Sequence, residues 1–345
     1  MFGTYRYCLA FCVAISHLWA GMIGGPAAYG VWGFYCLSGF LMTLVLNEKY
    51  GFSPSKLFSF AKNRCLRIYP AYYAVCLMML VLFLLIPESA IRFLPALQMP
   101  QTKTGWVYSL TLLTPAFKGE LVHGSSALRV ELWMYIVMAL GLSRNFTTAA
   151  IWFTACAVNT WWLLHTGVGF IERYVYIVPC ALAFSTGTLL YHVKKFLPTL
   201  VNPWWALGAA GLWWTHVFVS QHFVGGPWMY GLYTSLIVSC IAIVTLMNLK
   251  PSNVPRWLSK TDKVLGDLSY PIYLCHWGVG IVVTHFIPSL TRNDFEVFLI
   301  GFPLVNAVGF LIYRFVESPL ALLKTKPLKI PAAPLGNMAV APTTH

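Results

Sequence analysis

Apolar residues along this chain gather into long runs separated by short polar connections, and the runs approach the roughly 20 residues a helix needs to cross the hydrocarbon of a bilayer. Ten are predicted, at about 7–25, 27–46, 70–87, 126–142, 147–165, 174–191, 204–222, 228–248, 270–288 and 296–314. The fold class that follows is all-α: a polytopic integral membrane bundle of about ten transmembrane helices. The longest connection on the outer side, 88–125, mixes prolines with the apolar piece Trp106–Leu113 and is expected to lie against the membrane. After Leu323 the chain turns basic and proline-rich, a composition that cannot bury a core. The expected organisation is therefore one transmembrane domain over 1–323 and a disordered cytoplasmic tail over 324–345, with no second catalytic domain.

Composition agrees with that pattern. Hydrophobic residues make up 58% and charged residues 10%, against about 25% charged in ordinary soluble domains. The net charge of +13 does not point to nucleic acid, because the basic residues are dispersed among connections and build no continuous aromatic-interleaved surface. Their distribution reports topology instead, since short cytoplasmic connections are enriched in lysine and arginine. With the N-terminus inside, 17 of the 23 fall on the cytoplasmic side, five fall outside and Arg129 sits near a span end, so both termini are expected in the cytoplasm. The first 25 residues have the outline of a secretory signal but no clean cleavage site, and are read as a retained first span. Nine cysteines show no CxxC pair and no metal-like spacing, and no metal is expected. No internal repeat of the transporter kind is evident.

Chemistry is carried by the few polar residues inside apolar runs. Arg6 and His17 are eleven residues apart, about three turns of helix, so they share a face with His17 roughly 16 Å further along the axis. A neutral imidazole at that depth suits a general base, although a histidine of this kind also serves simply to hydrogen-bond between helices. Glu131 is one of very few intramembrane acids and is expected to orient His17 or stabilise its imidazolium form; a local ion pair with Arg129 is the plainer alternative. Arg64 and Arg67 stand at i, i+3 before the third span, placing two guanidinium forks where a phosphate can be held, with Arg6 as a third cation. Positive-inside anchoring accounts for such a pair equally well. His276 and Glu317 are secondary candidates. There is no HExxH, G-x-S-x-G, P-loop or G-x-G-x-x-G, which leaves metalloprotease, serine hydrolase and NTPase readings without support.

Taken in order, R-x10-H at 6–17, FYCLSGFL at 34–41, RCLRIYP at 64–70, SALRVE at 126–131, LSYPIYLCH at 268–276 and ESP at 317–319 resemble acyltransferase family 3, polytopic membrane proteins that O-acylate glycans and other cell-surface molecules. The resemblance covers nearly the whole chain. It implies an acyl-CoA donor, usually acetyl-CoA, arriving from the cytoplasm, and a glycan or lipid-linked glycan acceptor, in a bacterial inner membrane. It maps His17 to the catalytic histidine and Arg6, Arg64 and Arg67 to the donor site, with Ser38 and Tyr69 as further secondary positions. One departure stands out: where the family often reads Trp-Ser-Leu before the fourth span, this chain has Ser126, Ala127 and Leu128, so that family serine has no counterpart here. The rival classes are a transporter or flippase of a glycan precursor or acyl donor, favoured by repeats and broken helices, and a sensing or scaffold module that binds without turnover.

Overall fold

A computed structural model describes residues 2–22, 25–114, 119–249 and 254–325. The tail read from the sequence as disordered lies outside the described residues from 326 on. Among the described residues every regular element is a helix: α1 (Gly3–Leu18), α2 (Pro26–Val45), α3 (Pro54–Leu85), α4 (Pro87–Phe93), α5 (Lys103–Thr111), α6 (Ser126–Val137), α7 (Phe146–His165), α8 (Phe170–Val175), α9 (Ile177–Val193), α10 (Pro203–Phe223), α11 (Gly231–Met247), α12 (Arg256–Phe286), α13 (Phe295–Ile312) and α14 (Ser318–Leu320). Each of the ten apolar runs overlaps one long helix. Three stretches are long and apolar enough by themselves to cross a membrane: Pro26–Tyr50, Pro54–Leu85 and Phe295–Leu323. Large apolar side chains such as Leu77, Leu85, Phe223 and Phe286 point outward. In water such a surface would aggregate; in a bilayer it faces lipid, and the chain is an integral membrane protein.

Two helices exceed their apolar runs. The runs begin at 70 and 270, yet α3 starts at Pro54 and α12 at Arg256, each carrying a proline inside, Pro70 and Pro271. A proline removes one ladder hydrogen bond and crowds the carbonyl four residues back, but in membrane bundles neighbouring helices re-satisfy the freed groups. Separately, the Tyr270 hydroxyl donates to the Ile68 carbonyl at 2.9 Å, joining the two helices beside their prolines. Three other helices, α2, α6 and α13, run on into one wide π-helical turn each, at Leu46–Tyr50, Met138–Leu142 and Tyr313–Glu317. Hydrogen bonds gather these turns on one face of the bundle: Asn47 donates to the Ser143 carbonyl at 2.9 Å, and Asn63 donates to Tyr50 Oη and to the Thr325 carbonyl.

Part of the 88–125 connection packs against α3, while Ile91, Val107, Leu110 and Leu113 stay exposed. The last carbonyls of α5, which have no partner within their own helix, accept from three tyrosines of α3: Ser109 from Tyr72 at 2.7 Å, Leu110 from Tyr73 at 2.8 Å and Thr111 from Tyr69 at 2.6 Å. Tyr69 lies near the middle of α3, so α5 dips into the bundle, and Leu112, Leu121 and Val122 are buried there. The orphan carbonyls of α5 thus tie this segment to α3 as a plug between the helices, with one apolar side left exposed.

Close helix crossings depend on glycine. A Cβ on Gly39 would stand 2.1 Å from the Phe184 carbonyl oxygen, and one on Gly187 would stand 1.9 Å from that of Cys36, so α2 and α9 meet backbone to backbone. We expect Gly39→Ala to destabilise the protein by about 1–3 kcal/mol through overpacking. Gly208→Ala, where an added Cβ meets nothing within 4 Å, should leave the Tm of the detergent-solubilised protein unchanged or slightly raised. Equal melting temperatures for the two variants would contradict the crossing.

Candidate functional site

His17 occupies the last turn of α1, where carbonyls run out of helical partners. Its own carbonyl accepts from Arg292 Nε at 2.9 Å, which fixes the end of α1 to the α12–α13 connection. The ring is half-buried and lies parallel to Trp277, with centroids 4.6 Å apart, and its Nδ1 is 2.9 Å from Nε2 of His276 on α12. His276 is 1% exposed. Its own Nδ1 is 3.3 Å from the Ile272 carbonyl.

A carbonyl can only accept, so in the tautomer that satisfies this contact Nδ1 of His276 carries the proton. In neutral His276 the other nitrogen, Nε2, is then an acceptor, and His17 must donate from Nδ1. The chain of bonds leaves Nε2 of His17 with a free lone pair. A base oriented by a third group through its other nitrogen is the logic of catalytic triads, with a buried imidazole anchored on backbone as the orienting group.

A second polar cluster surrounds a cavity of about 310 Å³, at the lower end of the range for ligand sites. It is built from single faces of five helices. Phe34, Ser38, Leu41, Met42 and Val45 recur at helical spacing on α2; Ala127, Glu131 and Tyr135 do so on α6; Ser269, Tyr270 and Tyr273 come from α12. Arg6 of α1 and Arg64, Arg67 and Ile68 of α3 complete the lining. Arg67 Nη1 pairs with Glu317 Oε2 at 2.6 Å, and its guanidinium lies 5.6 Å from the Tyr270 ring. Among the described residues Arg64 has the Met42 sulfur at 3.5 Å and the Phe60 face, and its buried Nε has no hydrogen-bond partner there. No hydrogen bond reaches the Arg6 guanidinium among the described residues.

Glu131 belongs to this cavity. It accepts from Ser38 Oγ at 3.0 Å and from the Tyr135 hydroxyl. The expectation that Glu131 orients His17 is therefore corrected: α6 turns the carboxylate toward Ser38 on α2, and His276 stands where an acid was expected. The local ion pair with Arg129 is not what holds Glu131 either, since its partners are these two hydroxyls; the Arg129 guanidinium donates to the Val175 carbonyl at 3.1 Å. Glu120 sets the direction of α6 by accepting from the backbone N–H groups of Gly124 and Ser126 and from Ser125 Oγ, a carboxylate at a helix N-terminus where orphan donors and the helix dipole favour it.

The structure thus brings His17 together with His276, and Arg6, Arg64, Arg67, Ser38, Glu131 and Glu317 around the cavity. Tyr69 is spent on α5. Tyr273 is the shared wall: it lines the cavity, its ring centroid is 6.2 Å from that of His276, and its hydroxyl donates to the Gly124 carbonyl at 2.8 Å. Sequence reasoning missed Tyr135, Tyr270, Tyr273, Trp277 and Arg292. Only Tyr270, Tyr273 and Trp277 carried any signal, standing in or next to the LSYPIYLCH segment. Among the described residues no group of three His, Cys, Asp or Glu side chains is arranged to hold a metal ion.

A family described as an acyltransferase domain matches residues 5–314, and the chain belongs to that family. The protein named "Putative membrane-bound transacylase BcsY" of Komagataeibacter xylinus is 27% identical over 187 residues, 53% of this chain and 45% of that protein. The alignment thus spans under half of the relative's length. No solved structure matches the chain at a significant level.

Removing one partner of a buried ion pair costs about 3–5 kcal/mol, because the other charge is left without compensation; with Arg67 27% exposed, the loss here should be smaller. Glu317→Ala and Arg67→Ala should each lower Tm, and the double variant should fall short of their sum by about 1 kcal/mol or more. Strict additivity would show that the two side chains do not act as a pair.

Proposed function

We propose that the protein is a membrane O-acyltransferase that moves an acyl group, most simply acetyl, from cytoplasmic acyl-CoA to a hydroxyl of a cell-surface or membrane-associated glycan. The bundle crosses a bacterial inner membrane ten times with both termini in the cytoplasm, as the asymmetry of lysine and arginine favours. The observation that carries the reading is the pairing of a free His17 Nε2 lone pair with a cavity of under-partnered guanidiniums on the other side of Tyr273.

In this mechanism the phosphates of the donor settle on Arg6, Arg64 and Arg67, whose mutual repulsion an anion relieves. Glu317 holds Arg67 in place. Glu131, fixed by Ser38 and Tyr135, limits the positive charge of the cavity and positions its polar wall, so its role is in the donor pocket and not on the histidine. The pantetheine arm passes along Tyr273 and carries the thioester toward the two imidazoles.

His17 Nε2 takes the proton of the acceptor hydroxyl as that oxygen attacks the thioester carbonyl. The carbon–sulfur bond breaks, the new ester forms, and the departing thiolate takes the proton back from His17. His276 holds His17 in the required tautomer throughout, as a positioning residue. Burial of His276 and Trp277 keeps bulk water from competing for the thioester.

The test is mass spectrometry of surface glycans from cells expressing each variant at equal level. His17→Gln should remove O-acetylation while purified protein still binds acetyl-CoA, a loss of about 10²–10⁴-fold in turnover for a missing general base. His276→Ala should lower kcat with little change in KM for acetyl-CoA, and Arg67→Ala should mainly raise that KM. Normal acetylation by well-expressed His17→Gln protein would reject the base assignment.

A further inference from the structure

After α13 and its wide turn the chain passes through Ser318–Leu323 and reaches Lys324, and it does not leave the bundle there. Asn63, 4% exposed on α3, clamps the next residue by its backbone: its amide nitrogen donates to the Thr325 carbonyl at 2.8 Å, and its amide oxygen accepts from the Thr325 N–H at 2.9 Å. The same amide nitrogen is 2.5 Å from Tyr50 Oη. A buried amide that satisfies both backbone groups of one residue fixes the position of the chain whatever side chain that residue carries.

Asn63 precedes Arg64 directly and lies one helical turn before Arg67. The clamp therefore sets Lys324 beside the arginine end of the cavity. The half-buried ammonium is within electrostatic reach of Arg67, Arg64, Glu317 and Asp267; burial pushes its pKa down first, and the two guanidiniums push it further. Glu317 and Asp267 act in the opposite sense, and Glu317 is already paired with Arg67, so the clamp adds a third cation to a group that holds one close ion pair.

We infer that Lys324, positioned by the Asn63–Thr325 clamp, is a further cation of the donor site and takes a phosphate monoester of the donor. The inference rests on the donor reading of the cavity given above. Coenzyme A carries its negative charge in two places, a diphosphate in line with the pantetheine arm and a 3′-phosphate on the ribose. With the arm directed inward past Tyr273 and the diphosphate on the arginines, the ribose phosphate is left on the side of Arg64 and Arg67 away from Tyr273, and the Asn63–Thr325 clamp holds Lys324 next to that stretch of α3.

The experiment compares binding of CoA and 3′-dephospho-CoA to the purified full-length protein in detergent, by competition against radiolabelled acetyl-CoA. Wild type should prefer CoA by about tenfold, the scale of one charge-assisted hydrogen bond. Lys324→Gln should bind the two compounds alike, Lys324→Arg should restore the preference, and Asn63→Ala should reduce it with the lysine still present. Lys195→Gln, an exposed cation whose ammonium lies over Phe196, should keep it. A wild-type preference that survives Lys324→Gln, or no preference in wild type, overturns the inference while leaving the arginine site intact. Failure of wild type to bind either compound overturns the donor reading itself.

Discussion

The close parallel contact of α1 with α12 is the constraint on which the site depends. A Cβ on Gly3 would stand 1.7 Å from the Asp262 carbonyl oxygen, and one on Gly266 would stand 2.7 Å from Gly3 Cα, so the two backbones touch near their N-termini. The contact is fixed in register because Asp262 Oδ1 accepts from both the backbone N–H and the hydroxyl of Thr4, at 2.8 Å and 2.9 Å. From that anchor the helices run side by side, and their rise brings His17 level with His276. Hydrocarbon supplies no hydrophobic drive between helices, so small residues that allow dense packing, and polar groups that find partners across the contact, have to supply it. At its far end the same pair is held by Arg292, which donates to the His17 carbonyl and places its guanidinium 5.2 Å from the Trp277 ring.

A cluster of guanidiniums and a pair of neutral imidazoles make opposite demands on their surroundings, and the fold keeps the two apart. The guanidiniums come from α1 and α3 and line the cavity with α2, α6 and α12, whereas the imidazoles meet at the far end of the α1–α12 contact. Tyr273 is anchored through the Gly124 carbonyl to the segment that follows the α5 plug. Gly124 sits at φ +83°, in the left-handed region that glycine adopts without strain. An added Cβ there would stand 3.6 Å from the Tyr273 hydroxyl and 3.9 Å from Trp277 Nε1, so the turn lies directly against both walls.

Much of the cavity was legible in the sequence because rarity is informative in an apolar chain. Arg6, His17, Arg64, Arg67 and Glu131 each stand out against their runs, and helical spacing correctly places Arg64 with Arg67. The partner of His17 was harder to see. His276 is 259 residues away, and a single histidine in a span has no feature that separates a hydrogen-bonding role from a chemical one. Glu131 was matched to His17 by chemical type, since a carboxylate is the usual companion of an imidazole, whereas its actual direction is set by the Glu120 cap and the register of α6 against α2. Hydropathy also placed the start of α3 and of α12 too late. It reports where lipid begins, and a helix whose polar first half lines a face of the bundle gives no such signal.

The plug shows how far local accounting of backbone groups reaches into the site. Three tyrosines one and four residues apart on α3 present hydroxyls along one side of the helix, and the end of α5 has three successive carbonyls to offer them. That match ties the end of α5 to the middle of α3. It carries Glu120 to the start of α6 and Gly124 to Tyr273, so the Glu131 carboxylate in the cavity and the wall beside the imidazoles both inherit their positions from α5. A loss of hydroxyls at 69, 72 and 73 would therefore act on both halves of the site at once, although none of the three touches either histidine.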